Sequence, residues 1–516
     1  MGRVASFELR AGARNRARTR PSALRSGLCE GVLALLATLL ALPLSAQATG
    51  RAALDTVKPG SAVPLDEVVV SVTRTGRSVR DVPASVTVLT QASVKSTAAQ
   101  SVPDLLRHIP GFTMRDFQSS ITAHPSRQAP ALRGLGAGTS ASRTLVLVDG
   151  VPFEDPFGGW VHWARVPLDF VERIEVVRGG GSGIWGSRAM AGVINVITER
   201  PADRSMRLSA QGGSMSTMRA DAAATMRTGK LGVAVMGEYF DSDGFRHVRP
   251  DLRGPIDTNA GSQHEMAYAK VEFDVSPRFT VHLNGSYLDE YRPNATPLRY
   301  DATEIGFLRG GARWITPDQS VWNLTIHGSA QNHVNVFSTE ATDRNTEVLS
   351  LDQFDVPATA LGGNVQWSKP LSASHELSAG VDVLSVDGEV NEDFAFVQGA
   401  FTRRRRVGGE QLLTGVYAQE VFTPTRRLRI FANARLDTWR NRAAFRTERN
   451  LLTDAILTDS TYANQSHSQF NYGLGMRLET SNRFAWRASA YAAYRAPSLN
   501  ELYKPFREAG NVVVES

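Results

Sequence analysis

From Ser205 onward the sequence alternates polar and apolar residues, segment after segment, and no helical period interrupts it for roughly 300 residues. In FTVHLNGSYLDEY, Phe279, Val281, Leu283, Gly285 and Tyr287 share one face, and Thr280, His282, Asn284 and Ser286 share the other. LRIFANARLDTWR sets Leu428, Ile430, Ala432, Ala434 and Leu436 against Arg429, Asn433, Arg435 and Asp437, with Phe431 the exception. AYAKVEFDV (267–275) and FAWRASAYAAYRAP (484–497) obey the same rule. A period of two places one face in an apolar medium and the other in a polar one. A soluble antiparallel sandwich alternates too. Here, however, the polar faces are heavily charged, aromatic residues recur near segment ends, and long polar inserts separate some segments. That combination predicts a transmembrane antiparallel β-barrel. The segments number about a dozen to sixteen, at ~10 residues each. The inserts from Ser338 to Pro357 and from Arg442 to His467 read as extracellular loops.

The N-terminus agrees with export. Residues 1–25 hold seven arginines and one acid, and Gly31 to Leu44 is an uncharged apolar run. The small-residue site Ala46-Gln47-Ala48 completes a signal peptide over 1–48, with cleavage after Ala46 or Ala48. The run is too short for a ~20-residue helical span. The leader carries seven of the 57 Lys+Arg and two of the 51 Asp+Glu, so the remainder has 50 against 49, a net charge of +1. The pI near 9.5 therefore belongs largely to the leader and indicates no nucleic-acid partner. Cys29, the only cysteine, lies in the leader, which excludes disulfides, zinc–thiolate sites and a cysteine nucleophile from the mature chain. No apolar run is long enough for a membrane helix, so a membrane-spanning form must be a barrel.

Between leader and barrel the texture is mixed α/β. VPASVTVLT (82–90), VERIEVVRG (171–179) and GVINVIT (192–198) read as strands, and SVPDLLRHIPG (101–111) as a short helix stopped by Pro110-Gly111. RTLVLVDGVPF (143–153) reads as two strands about an Asp149-Gly150 turn. Ahead of them, LDEVVVSVTR (65–74) is a β-branched strand with no hairpin turn to a neighbour, which leaves its backbone groups on offer. The glycine motifs do not support catalysis. GSGIWGS (181–187) has P-loop spacing, but Ser187 stands where the lysine is needed, and GLGAGT (134–139) lacks the last glycine of a dinucleotide fingerprint. His108, His124 and His162 are scattered, and neither a catalytic constellation nor a metal site is expected.

DEVVVSVTR, SVPDLLRHIPGF, LRGLG, RTLVLVDGVPF and VERIEVVRGGGSGIWGSRAMAGVINVIT, in this order, resemble a TonB-dependent outer-membrane receptor. YRAPSLNELY (494–503) is similar to a barrel-strand motif of the same family. The departures are Gly180, where the family usually has proline, and Ala191, where it often has glycine. The resemblance implies a tether over 49–81, an α/β plug over 82–203 and a barrel from 204, in the outer membrane of a Gram-negative-type bacterium. No signalling domain fits between Thr49 and Pro64. Family barrels have about 22 strands, the size at which a lumen is plugged. Only 313 residues follow Asp203 (516 − 203), so the sequence is expected to hold the first two thirds of the barrel, or else a small barrel of fourteen or sixteen strands.

The implied function is uptake of a scarce large metal chelate, a ferric siderophore or a corrinoid, energised by TonB. The rival is a passive porin or adhesin. Asp66, Glu67, Val68, Val69, Val70 and Ser71 would form the TonB box, a strand donated to the partner's sheet edge. Arg133 and Arg178 match plug arginines that pair with barrel glutamates in the family, glutamates expected beyond Ser516. Phe153, Phe157, Trp160 and Trp163 would suit an aromatic ligand floor or plug-to-wall packing. Arg403, Arg404, Arg405 and Arg406 are expected in or beside an extracellular loop, facing an anionic chelate, lipopolysaccharide phosphate or solvent. No cofactor is implied.

Overall fold

The computed structural model describes residues 68–114, 118–135, 142–481, 483–508 and 512–514. The leader, most of the tether, and the box residues Asp66 and Glu67 lie outside the described residues. Two bodies follow one another in the chain, a small α/β plug and a large antiparallel sheet.

The plug opens with β1 (Val68–Val69) and β2 (Arg77–Ser78), which pair antiparallel. The strand expected to lack a partner thus finds one nine residues on, through a turn in which Arg74 takes φ +54°. The main plug sheet uses β3 (Ser85–Thr90), β6 (Thr144–Val148), β7 (Val151–Pro152), β8 (Val171–Arg178) and β9 (Gly192–Thr198), in the order β3-β8-β9-β6-β7. A small hairpin, β4 (Phe112–Met114) with β5 (Pro130–Leu132), stands beside it. Asp149 and Gly150 both have positive φ, +50° and +80°, as a two-residue turn between twisted strands requires. Helix α1 (Gln91–Lys95) is capped by the Thr90 hydroxyl, and α2 (Val102–Leu106) carries Pro103 in its first turn. Leu105, Leu106, Ile174, Ile194 and Val196 belong to one buried core.

The large sheet has fourteen strands, within the expected dozen to sixteen. They are β10 (Ser205–Gly213), β11 (Thr217–Thr228), β12 (Leu231–Phe245), β13 (Ala260–Ser276) and β14 (Phe279–Pro293). Next come β15 (Tyr300–Ile315), β16 (Val321–Glu340), β17 (Glu347–Pro370), β18 (His375–Val397) and β19 (Ala400–Thr425). The last are β20 (Leu428–Asn450), β21 (Ile456–Thr461), β22 (Gln465–Ser481) and β23 (Phe484–Tyr491). Each pairs with its sequence neighbours, except that β21 is a side branch on β20 and the path runs from β20 to β22. The sheet does not close on itself: among the described residues, β10 and β23 are its two edges.

The faces follow the alternation. Leu283 is 50% exposed on the outer face, while its neighbour Asn284 is 3% exposed on the inner. Several strands are much longer than ten residues, β19 reaching 26. The insert from Ser338 to Pro357 is therefore mainly strand, with its turn confined to 341–346, and much of 442–467 is paired as well. Hairpins extended beyond a bilayer satisfy their polar backbone across the ladder, so polar sequence there need not be loop. Among the described residues the turns at one rim are short (229–230, 277–278, 426–427), and the other rim carries the longest connections (246–259, 451–464).

YRAPSLNELY departs from its expected strand. β23 ends at Tyr491, and Ser498 opens helix α4 (Leu499–Tyr503) with a capping box to Glu501. Leu499 and Tyr503 turn inward onto plug residue Phe157 and wall residues Val390 and Val407.

Candidate functional site

The segment after β1 is clasped by the plug. Glu175, fully buried in central strand β8, turns one carboxylate oxygen to three donors: the backbone N–H of Val70 and of Ser71, both at 2.9 Å, and the Ser71 hydroxyl at 2.6 Å. Its other oxygen accepts from Arg173 at 3.0 Å. From the opposite side the Trp185 indole donates to the Ser71 carbonyl at 2.7 Å. Val69 and Ser71 are buried as a result. A short strand next to a buried carboxylate has its free amides satisfied locally, so it need not enter the main sheet.

The turn that follows is tied to the wall. Arg74 makes a two-pronged contact with Asp382 of β18, at 2.8 and 3.1 Å, and lies over the rings of Trp185 and Tyr417 at 4.2 and 4.7 Å. Burial alone would lower its pKa; Asp382 and Tyr417 together outweigh burial and raise it. Arg77 meets Glu376 at 2.5 Å, and Asp81 meets Arg429, both at the short-turn rim. Asp382 also pairs with Arg435 at 2.5 Å, so one wall carboxylate joins the plug's N-terminal turn to β20.

RGGGSGIWGS is a contact surface. A Cβ on Gly180 would lie 2.2 Å from the Tyr491 ring, and one on Gly183 would lie 1.9 Å from the Asn433 amide. The glycines let helix α3 (Ser182–Trp185) approach β20, β22 and β23 more closely than any side chain permits. The loop binds wall, which accounts for P-loop spacing without its lysine.

A second anchor lies at the Asp149-Gly150 turn. The Asp149 carboxylate accepts from Thr198 N–H (2.9 Å) and hydroxyl (2.7 Å), Tyr268 (3.2 Å) and Asn284 (3.3 Å), and pairs with Lys270 at 3.1 Å. Burial pushes this carboxyl up, but Lys270, Arg309 and the Thr198 bonds pull it down to about 2. Neither Arg133 nor Arg178 meets a barrel carboxylate among the described residues. Arg133 is exposed, with φ +53° and no carboxylate beside it among the described residues. Arg178 donates to the Pro110 carbonyl and the Thr87 hydroxyl, both at 3.1 Å, inside the plug.

The apical aromatic residues pack. Phe157 meets the wall and α4, Trp163 lies in the plug core with its indole on the Gln128 carbonyl at 3.1 Å, and Trp160 donates to His162 at 3.1 Å. Phe153 stacks under Arg165 at 4.0 Å. All four are at most 8% exposed. The four arginines lie at the start of β19, just after the turn at 398–399, and each has a carboxylate partner. Arg403 pairs with Glu448 (2.8 Å), Arg404 with Asp393 (2.7 Å), Arg406 with Glu389 (2.9 Å), and Arg405 with buried Glu392. Charges already neutralised across a ladder attract a distant anion weakly. Among the described residues no group of three or more His, Cys, Asp or Glu is arranged to hold a metal ion.

Two family models match the chain: the TonB-dependent receptor plug domain over 78–193, and the TonB-dependent receptor-like β-barrel over 250–514. The chain belongs to the TonB-dependent receptor family. As such it is an outer-membrane protein of a Gram-negative bacterium. Among curated relatives, the vitamin B12 transporter BtuB of Photobacterium profundum is 23% identical over 456 residues, 86% of this chain and 64% of that protein. The BtuB of Vibrio cholerae serotype O1 is 33% identical over 190 residues, 37% of this chain and 30% of that one. The chain thus spans less than two thirds of the length of these relatives. Among solved structures, the ferripyoverdine receptor of the outer membrane of Pseudomonas aeruginosa, bound to ferripyoverdine, superposes with TM-score 0.64 at 14% identity, over 87% of this chain and 61% of that one. The ferric yersiniabactin uptake receptor FyuA of Yersinia pestis gives 0.62 at 15%, over 80% and 64%.

Within this receptor, sequence reasoning missed Glu175, Trp185, Arg74, Asp382 and Asp149. One signal was available for Glu175: it stands between Ile174 and Val176-Val177, a carboxylate enclosed by apolar β-formers in an expected strand, and such a group needs donors. No local signal marks Asp382, whose partner lies 308 residues away.

Proposed function

We propose that this receptor binds a scarce, large metal chelate at the cell surface, a corrinoid or a ferric siderophore, and imports it with energy from TonB. One observation carries the reading: Val68–Ser71 is held by exchangeable bonds rather than built into the plug sheet. Two backbone amides, one hydroxyl and one carbonyl are satisfied by Glu175 and Trp185 side chains, and β1 pairs over only two residues. A segment held this way can leave and offer the same amides to a partner's sheet edge, the mode in which an added strand gains main-chain hydrogen bonds. Asp66 to Ser71 are the residues we assign to that strand. A passive pore would have no use for a releasable strand or for a plug anchored at Asp149 and Arg74. Sequence relatives that transport vitamin B12 make a corrinoid the first ligand to test, and neighbours in fold that take up siderophores make those the second.

The test is Val69→Pro in the receptor at its full natural length, with binding and accumulation of labelled cobalamin and a panel of ferric siderophores measured in parallel, with and without a proton gradient. Proline removes a backbone donor that strand pairing needs. Binding should persist while energised accumulation is lost, and Val69→Ala should be milder. Loss of binding with Val69→Pro would make the segment a structural part of the plug. Undiminished accumulation would remove the strand-donation reading.

A further inference from the structure

The wall carries a level marker at its short-turn rim. Trp314, Trp322 and Trp367 are register partners across β15, β16 and β17, and Trp314 and Trp322 are 50% and 41% exposed on the outer face. Such a row lies where hydrocarbon gives way to headgroups.

At that rim the charges do not balance locally. The acids of the short turns and flanking strand ends are all taken. Glu272 and Asp274 pair with Arg227 (2.8 Å each), Asp318 with Lys369 (2.7 Å), Glu376 with Arg77 (2.5 Å), Glu420 with His375 (2.6 Å) and Glu479 with Arg477 (2.5 Å). Arg426 and Arg427, in the turn between β19 and β20, and Arg483, in the turn between β22 and β23, are exposed. Arg426 and Arg483 have no side-chain hydrogen bond or ion pair among the described residues, and Arg427 has only a long-range attraction to Glu479, which is already paired with Arg477. The two turns are neighbours, since the Glu479 N–H donates to the Arg427 carbonyl at 2.8 Å. Side-chain hydroxyls shape both: Thr425 accepts from the amides of Arg427 and Leu428 (3.3 and 3.1 Å), and Ser481 from those of Arg483 and Phe484 (3.3 and 3.2 Å). Directly beyond the turn, Phe484 and Trp486 lie on the outer face of edge strand β23, in the same row as Leu478.

We propose that Arg426, Arg427 and Arg483 seat the phosphate of an anionic phospholipid of the periplasmic leaflet, with its acyl chains along Phe484 and Trp486; the proposal rests on the outer-membrane reading of the wall. Guanidinium groups match phosphate oxygens in a planar fork, and a cluster of unpaired cations beside an apolar band recruits an anionic headgroup. Continuity with the lipid-facing surface favours lipid over an acidic periplasmic protein segment, which would find the same cations but no use for the aromatic pair.

The experiment uses the receptor at full natural length, delipidated in detergent, with bound phosphatidylglycerol or phosphatidylcholine counted by native mass spectrometry. Wild type should retain phosphatidylglycerol about tenfold over phosphatidylcholine, and R426Q/R427Q/R483Q should lose that preference. R483Q alone, a milder change, should lose about threefold, and R278Q, on a distant turn without the aromatic pair beside it, should behave as wild type. Unchanged phosphatidylglycerol retention in the triple variant, and in R483Q if the triple variant does not fold, overturns the proposal. Displacement of phosphatidylglycerol by soluble polyglutamate at equal charge concentration also overturns it, and assigns the patch to an acidic protein partner. A wild-type receptor that inserts into bilayers without headgroup preference sinks this proposal alone; one that fails to insert sinks the membrane reading as well.

Discussion

Glu175→Gln is the sharpest perturbation of the clasp, because it removes a charge while keeping the shape. One oxygen of Glu175 serves the Val70 N–H, the Ser71 N–H and the Ser71 hydroxyl at 2.9, 2.9 and 2.6 Å. Hydrogen bonds to an ionised acceptor contribute about 1.5–3 kcal/mol each and neutral ones about 0.5–1.5. Three such bonds therefore weaken by about 1 kcal/mol apiece at most. The Trp185 bond and the β1–β2 pairing survive, so the docked state should lose roughly 2–3 kcal/mol. That raises the undocked population about 30- to 150-fold. Hydrogen exchange of residues 68–78 in the unliganded, full-length receptor reads this change directly, with the β9 peptide 192–198 as internal control. Exchange of 68–78 should rise by that factor while β9 stays protected. Unchanged exchange at 68–78 would show that Glu175 does not hold the segment. A parallel loss of protection in β9 would mean that the variant loosens the plug as a whole, and the clasp argument would fall.

Asp382→Asn should release residues 68–78 more than Arg74→Ala does in the same exchange assay. Removing Arg74 leaves Asp382 its bond to Arg435, whereas removing the carboxylate leaves buried Arg74 without its partner, Arg435 keeping Asp437 at 2.7 Å, at a cost of about 3–5 kcal/mol. Asp149→Asn should lower the stability of plug docking at neutral pH by about 2–3 kcal/mol. Its carboxyl titrates near 2 when folded, below the unfolded value of about 3.9. Its stabilisation is therefore complete above pH ~4 and lost as pH falls towards 2, so the variant should show a flatter acid limb in thermal melts between those values. Gly192→Ala should expose the plug to protease with a loss of about 3 kcal/mol or more. Its Cβ would meet the Val177 carbonyl oxygen at 2.3 Å, at a φ of +155° that side chains avoid.

Alternation along 205–491 was enough to read an antiparallel wall with lipid-facing Leu283 and Leu436 and lumen-facing Asn284 and Arg435, because a period of two is a local property of each strand. The Asp149-Gly150 turn, the strands on either side of it and the short helix after Ser101 were legible for the same reason: turn chemistry and proline act over a few residues. What no window of sequence contains is the identity of distant partners. Arg403 to Arg406 read as free charge until β18 and β20 bring Glu389, Glu392, Asp393 and Glu448 alongside. Phe157 read equally as ligand floor or packing until α4, some 340 residues later, closes onto it. The strand at Val68 lacked a visible partner because the residues that follow it, Val70 and Ser71, bond to two side chains, Glu175 and Trp185, more than a hundred residues on. Periodicity tells each residue which medium it faces, and only the folded chain decides which buried charge meets which, because that choice depends on register and closure across strands the local pattern cannot count.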